Sequence, residues 1–231
     1  MMRKYINIQN SRRLAIFCTA LIPVAVLSYH EKLSIGDISS LPLFLILVLM
    51  LIFSNLEIPV YRMRTKKPVH LSRDALALEH IYAVPVLEEL STGSQRTFDT
   101  AVTVNAGGFI VPLIALLYLL STHLTTVALL LTLIMIIAVV LISEMISGVG
   151  VVIPDHTPLI AIPFALMVDP SHVAEITYIS AIAGIFIGTL VSILTFNREK
   201  KGSAYISLGG AGNFPAIYFT VLIAGLLSYF I

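Results

Sequence analysis

Cysteine is almost missing from this chain. Cys18 is the only one, which excludes a disulfide framework and a cysteine-based metal knuckle. Charge is scarce as well: 12% of residues are Asp, Glu, Lys or Arg, against roughly 25% in a soluble domain. Between Arg96 and Arg198 run 101 residues without a Lys or Arg. A net charge of +1 gives no electrostatic case for nucleic-acid binding. The chain has no phosphate-binding glycine loop, no His-Glu-x-x-His zinc motif and no serine nucleophile elbow, so neither a cofactor nor a catalytic residue is expected. What the chain has instead is apolar surface. Of its 231 residues 58% are hydrophobic and the mean hydropathy is +0.97. Water cannot solvate a surface made from such a chain, whereas lipid can, so the lipid bilayer is its first expected partner.

A spanning helix needs about 20 mostly apolar residues, and seven candidates appear. They run over 14–29, 38–60, 100–121, 124–146, 149–168, 173–196 and 204–231. Because backbone polar groups in lipid must be satisfied internally, the expected fold class is all-α: a polytopic transmembrane helix bundle of about seven helices, forming one integral membrane domain over 1–231. The first segment is expected to stay as an uncleaved helix, since no small-residue cleavage pattern follows it.

Basic residues set the orientation. With seven spans, the N-terminal flank, the 61–99 link and the link around Arg198, Lys200 and Lys201 share one face. That face then holds thirteen of the fourteen basic residues, and only Lys32 lies opposite. The expectation is a cell-membrane protein with a cytoplasmic N-terminus and an outer C-terminus. The cytoplasmic link 61–99 contains a candidate interfacial helix from Asp74 to Leu90, interrupted at Pro85 and capped by Ser72. Its Leu76, Leu78, Ile81, Val84 and Leu87 are expected to lie on the bilayer surface. The simple reading of this link is a connector; a lid or a partner-docking element is the sharper one.

Three spans carry glycine followed by proline inside the apolar tract, at Gly107-Gly108 to Pro112, Gly148 to Pro158 and Gly209-Gly210 to Pro215. Glycine lowers the cost of non-helical angles, and proline removes a donor. Helices three, five and seven are therefore expected to be broken. All three run from the cytoplasmic side outward, which puts the breaks at one depth. The fourth helix ends at Glu144 on that level, and Asn55 and Glu57 close the second. Asn55, Asn105, Glu144, Asp155, His156 and Asn213 would then converge around a substrate- or ion-binding site, as broken helices do in many transporters. A carboxylate at membrane depth is a functional candidate by default, which singles out Asp155 and Glu144. The plainer alternative is that the glycines serve close packing, as the Ser180-x-x-x-Gly184-x-x-x-Gly188 ladder suggests. His30, His123 and His172 fall near the outer face but follow no recognised metal-ligand spacing, and no metal is expected.

The blocks 54–60, 104–112, 150–158 and 209–214 resemble a prokaryotic multi-pass membrane family catalogued as domain of unknown function 1614. The resemblance covers the chain from about residue 38 onward. It implies an architecture and transfers no catalytic residue. Where that family carries an aspartate after Phe214, this chain has Pro215. Gly210-Ala211-Gly212-Asn213-Phe214 is also similar to the Gly-x-Gly-Asp motif of presenilin-type intramembrane aspartyl proteases. Those enzymes need two carboxylates, and Asn213 cannot titrate. Three functions follow as expectations: a small-solute or ion transporter or ligand-binding membrane protein, an active or degenerate intramembrane protease relative, and a structural membrane subunit. The expected ligand is a small polar solute or cation. A 25.2 kDa chain would suit a homo-oligomer, though no segment specifies an interface.

Overall fold

The computed structural model describes residues 11–67, 75–82, 84–87, 97–199 and 201–231. Ser72, Asp74, Leu90, Arg96 and Lys200, invoked above, lie outside the described residues, as do Arg3, Lys4 and Arg73 of the basic set.

The described chain is mainly helical. Its elements are α1 (Ser11–Tyr29), β1 (Ser34–Ile35), β2 (Ile38–Ser39), α2 (Ser40–Ile52), β3 (Glu57–Lys66), α3 (Ala75–Tyr82), β4 (Thr97–Asn105) and α4 (Val111–Thr122). Then follow α5 (Thr126–Ile142), β5 (Glu144–Ile146), β6 (Gly150–Val152), α6 (Ala161–Val168), α7 (Val173–Thr195), β7 (Tyr205–Leu208) and α8 (Phe214–Phe230). Seven apolar helical segments sit where seven were expected: 13–29, 40–55, 106–122, 126–142, 157–168, 170–195 and 214–230. Among the described residues, only 170–195 is long and apolar enough to cross a membrane; the other six are 10–17 residues long. At about 1.5 Å per residue, a 17-residue helix reaches about 25 Å, short of a hydrocarbon core of about 30 Å.

The missing length is sheet. The second, third, fourth, fifth and seventh apolar tracts were expected as helices, broken in the third, fifth and seventh, and each carries a strand at the end nearest the basic links. β3 pairs antiparallel with β4, and β4 pairs parallel with β7, in the order β3-β4-β7. β5 and β6 form a separate antiparallel pair. The residues explain the change. Thr97 to Asn105 alternates polar and apolar over 97–99 and 102–105 and is rich in Thr and Val, the β-branched types that favour strands. Phe98, Thr100 and Val102 point inward, while Thr97 and Asp99 are exposed. Pro59 is tolerated in β3 because that strand is an edge, and the register shifts between Pro59 and Tyr61.

The 61–99 link therefore contributes two strands as well as a helix. α3 lies inside the stretch 74–90 expected as a helix, and its Leu76 and Ile81 are exposed. Val84 and Val86 instead pack with Ala75, Phe98 and Val149 against the rest of the protein.

α7 is the central column. Gly184 lies against Met135, and Gly188 against Val139, so the small-residue ladder is the seam where α5 seats on α7. A main cluster joins α1, α2, α4, α7 and α8, and Phe17 stacks edgewise on Phe214 and Phe219. Outward faces carry large apolar side chains, among them Leu41, Leu45, Ile114, Leu117, Leu133, Ile137, Leu141 and Leu190. At the far end of the helices from the sheet, His123 lies between Asp37 (3.1 Å) and Glu175 (3.4 Å), while His172 pairs with Asp169.

The tightest backbone contact joins the turns before α4 and α8. A Cβ on Gly209, which has φ +77°, would meet the Gly108 carbonyl at 2.6 Å. Backbone cannot yield there, so Gly209→Ala is expected to cost about 1–3 kcal/mol or more in thermal unfolding. Gly225→Ala would meet chiefly the flexible end of Leu43 and should cost less. Equal losses would refute this account of the contact.

Candidate functional site

The sheet's register brings polar residues from three separate tracts onto one face. Glu57 pairs with Asn105, and Thr103 pairs with Ser207. Thr103 and Asn105 are two residues apart in β4 and so point the same way. The Glu57 side chain lies across β4 and meets all three. Thr103 Oγ1 donates to Oε2 at 2.6 Å. Ser207 Oγ lies 2.8 and 2.7 Å from Oε1 and Oε2, so its one hydrogen serves either oxygen. Asn105 Nδ2 donates to Oε1 at 3.1 Å and to the Ser54 carbonyl at 2.6 Å. Glu57 is only 6% exposed, and Asn105 is fully buried.

The glycine turns make room for this carboxylate. A Cβ on Gly210 would collide with Glu57 Oε1 and Ser207 Oγ, and one on Gly107 would collide with the Met50 carbonyl. Asn105 also shapes the break it adjoins: its Oδ1 accepts from Gly108 N at 2.8 Å, at the start of a π-helical turn over 106–110 that leads into α4. Asn213 donates from Nδ2 to the Ser207 carbonyl at 3.3 Å, and its buried Oδ1 has no hydrogen-bond partner among the described residues. Among the described residues, the side chains that reach Glu57 are two hydroxyls and an amide, all neutral.

Of the six residues expected to converge, Asn105 and Asn213 meet in this node. Asn55 is half-buried in the turn between α2 and β3. Asp155 and His156 are exposed in the loop after β6. Glu144 is exposed at the end of α5 and lies 3.4 Å from Lys201. Both Glu144 and Asp155 act on Tyr82, whose hydroxyl is held above its ordinary pKa first by burial and then, against the opposing Arg13, by these two carboxylates. They form a hydrated rim, separate from the Glu57 node. Neither is a partner of Glu57, so the node is not a carboxylate dyad.

Reading these ends of the second, third and seventh tracts as helix hid Glu57, Thr103 and Ser207. The signal that would have found them is the two-residue spacing of Thr103 and Asn105 inside a Val-rich run.

This is a mainly helical protein with a small mixed sheet at one end and a buried carboxylate where strands turn into helices. Residues 51–227 match the family model described as Protein of unknown function (DUF1614), and the chain belongs to that family. The match begins inside α2 and ends inside α8, so it takes in every residue of the node. No curated protein and no solved structure matches the chain.

Removing the carboxylate strands its donors. Glu57→Ala is expected to cost about 1–3 kcal/mol for each buried donor left without an acceptor. Glu57→Gln keeps one acceptor, and hydroxyls can turn to accept from the new amide, so its loss should be much smaller. Thermal unfolding of the two purified variants checks this. Equal destabilisation would mean that the carboxylate charge, lost in both variants, and not the filling of its hydrogen bonds sets the node.

Proposed function

We propose that the protein is an integral membrane protein that moves a small polar solute or ion, with its binding site at the strand-to-helix junctions around Glu57. The observation that carries this reading is a buried carboxylate reached, among the described residues, only by neutral groups. Burying a charge without a basic partner is costly. Such a group is a natural place to take up a proton or a cation, and in membrane proteins it marks transport paths. Asn213 supports the reading, because its unpartnered Oδ1 is an oxygen available to a cation or a polar ligand. Asn105 and Asn55 would complete the inner site. Asp155, His156 and Glu144 would form a hydrated approach on the basic side.

The membrane placement rests on the outward apolar faces, which are more extensive than a soluble monomer exposes. It also rests on the charge distribution, which favours a cytoplasmic sheet and an outer C-terminus. In this reading the shorter helices reach from the outer surface to the sheet, and the non-helical backbone is covered by protein, as it must be at depth.

Two measurements test the proposal. In a Cys18→Ser background, Lys32→Cys should react with a membrane-impermeant maleimide on intact cells, while Lys201→Cys should react only after lysis. The reverse pattern would invert the topology. In proteoliposomes carrying a trapped pH-sensitive dye and a sodium or potassium gradient, wild-type protein should move protons or the cation, and Glu57→Gln should abolish the flux at normal folded yield. Asp155→Asn should slow it without abolishing it. A Glu57→Gln variant that transports like wild type would sink the transport reading and leave a structural subunit.

A further inference from the structure

The far end of the sheet carries a second, different polar surface. Arg62, Arg64 and Lys66 alternate along β3 with Met63, Thr65 and Lys67, and the first three are exposed while the second three are buried. The basic stripe thus stands on one face of an edge strand. Asp99, cross-strand from Arg64, is held by Arg62 at 3.5 Å. Arg64 and Lys66 enter no ion pair among the described residues. The chain leaving α7 adds a third cation. The Arg198 carbonyl accepts from Lys66 N at 2.9 Å, which fixes Arg198 beside the end of β3. Arg64, Lys66 and Arg198 line one open cavity of about 500 Å3, shared with Thr65, Thr97 and the single acid Glu199.

Three cations around one cavity suit a doubly or singly charged phosphate, since guanidinium groups match its oxygens in pairs. The surroundings favour one that is attached to a lipid. The last turns of α7 expose Leu190 and Leu194 just before Arg198, and β3 exposes Val60 and Tyr61 just before the stripe. Apolar surface therefore leads from two sides to a basic end, the order of groups that an acyl chain and its headgroup present.

We propose that Arg64, Lys66 and Arg198 bind the phosphate of an anionic lipid headgroup. This rests on the membrane placement proposed above. It adds a defined site to what would otherwise be diffuse attraction of basic residues to the cytoplasmic leaflet.

The test is native mass spectrometry of detergent-purified protein with phosphatidylglycerol, with phosphatidylcholine, and with inorganic phosphate alone. Wild type should retain phosphatidylglycerol in preference to phosphatidylcholine. Arg64→Gln, Lys66→Gln and Arg198→Gln should each weaken that retention by about fivefold, as expected for one basic group near an anionic surface. Arg62→Gln, whose charge is already engaged by Asp99, should change it little. No preference in wild type, or retention unchanged in all three variants, overturns the site. Binding of inorganic phosphate that displaces the lipid and depends on the same residues would make it a free-anion site and overturn the lipid assignment. Carbonate extraction of cell membranes separates this from the membrane placement itself. Protein that stays with the membrane but shows no lipid preference refutes only the headgroup site, whereas protein released by carbonate refutes both.

Discussion

The Glu57 carboxylate and the three side chains that satisfy it hold one end of the molecule together. They come from three strands that are far apart in sequence: Thr103 lies 46 positions from Glu57, and Ser207 lies 150. A buried carboxylate must have its oxygens filled or it destabilises the fold, so the sheet cannot slip by a residue without exposing that cost. Register, often weakly specified in a short sheet, is here fixed by chemistry. The glycines follow from the same constraint. Gly210 leaves space for the carboxylate, and the close approach of Gly108 to Gly209 lets β4 and β7 turn into α4 and α8 side by side.

That arrangement accounts for the helix lengths. Five of the seven tracts give part of their residues to a strand, and the remainder of each forms a helix too short to match α7. The α5 helix seats against α7 through Gly184 and Gly188. The breaks are consequently more than kinks in long helices. They are junctions between two kinds of hydrogen bonding, inter-strand on one side and intra-helical on the other, and the orphaned groups at each junction need partners. Asn105 supplies one by accepting from Gly108 N.

Some of this was legible in the sequence. Gly-Pro pairs act on the backbone locally, so the positions of the breaks could be read directly, as could the Ser180-Gly184-Gly188 packing seam. The number and place of the apolar helical segments could be read as well, because composition alone marks them. The strands were harder. Overall hydropathy is the same for an apolar strand and an apolar helix, and only the alternation in Thr97 to Asn105 distinguishes them. Two of the expected site residues lie next to breaks: Asn105 bonds Glu57, and Asn213 bonds the Ser207 carbonyl. Glu57 stands at the end of an apolar run, where it reads as an ordinary interfacial carboxylate. Its burial depends on pairing with residues up to 150 positions away, and no local pattern encodes that. Asp155 drew attention for the opposite reason: it sits among prolines and glycines, yet the loop carries it into the open.

The two carboxylate environments differ in a way that bears on mechanism. Glu144 and Asp155 are hydrated, and Glu144 has Lys201 within reach, so water and salt can screen them at little energetic consequence. Glu57 has no basic side chain against it among the described residues, and its hydrogen bonds from Thr103, Asn105 and Ser207 all come from neutral donors. A change in its charge would be felt at once by Ser207 and Asn105. Ser207 carries the Asn213 contact through its carbonyl, and Asn105 caps the turn into α4. Asn213 opens α8. Loading or unloading Glu57 would thus alter hydrogen bonds at the bases of two helices, and those two bases touch at Gly108 and Gly209. A packed contact of that kind moves between discrete arrangements more readily than it deforms, which is what coupling an occupied site to helix position requires.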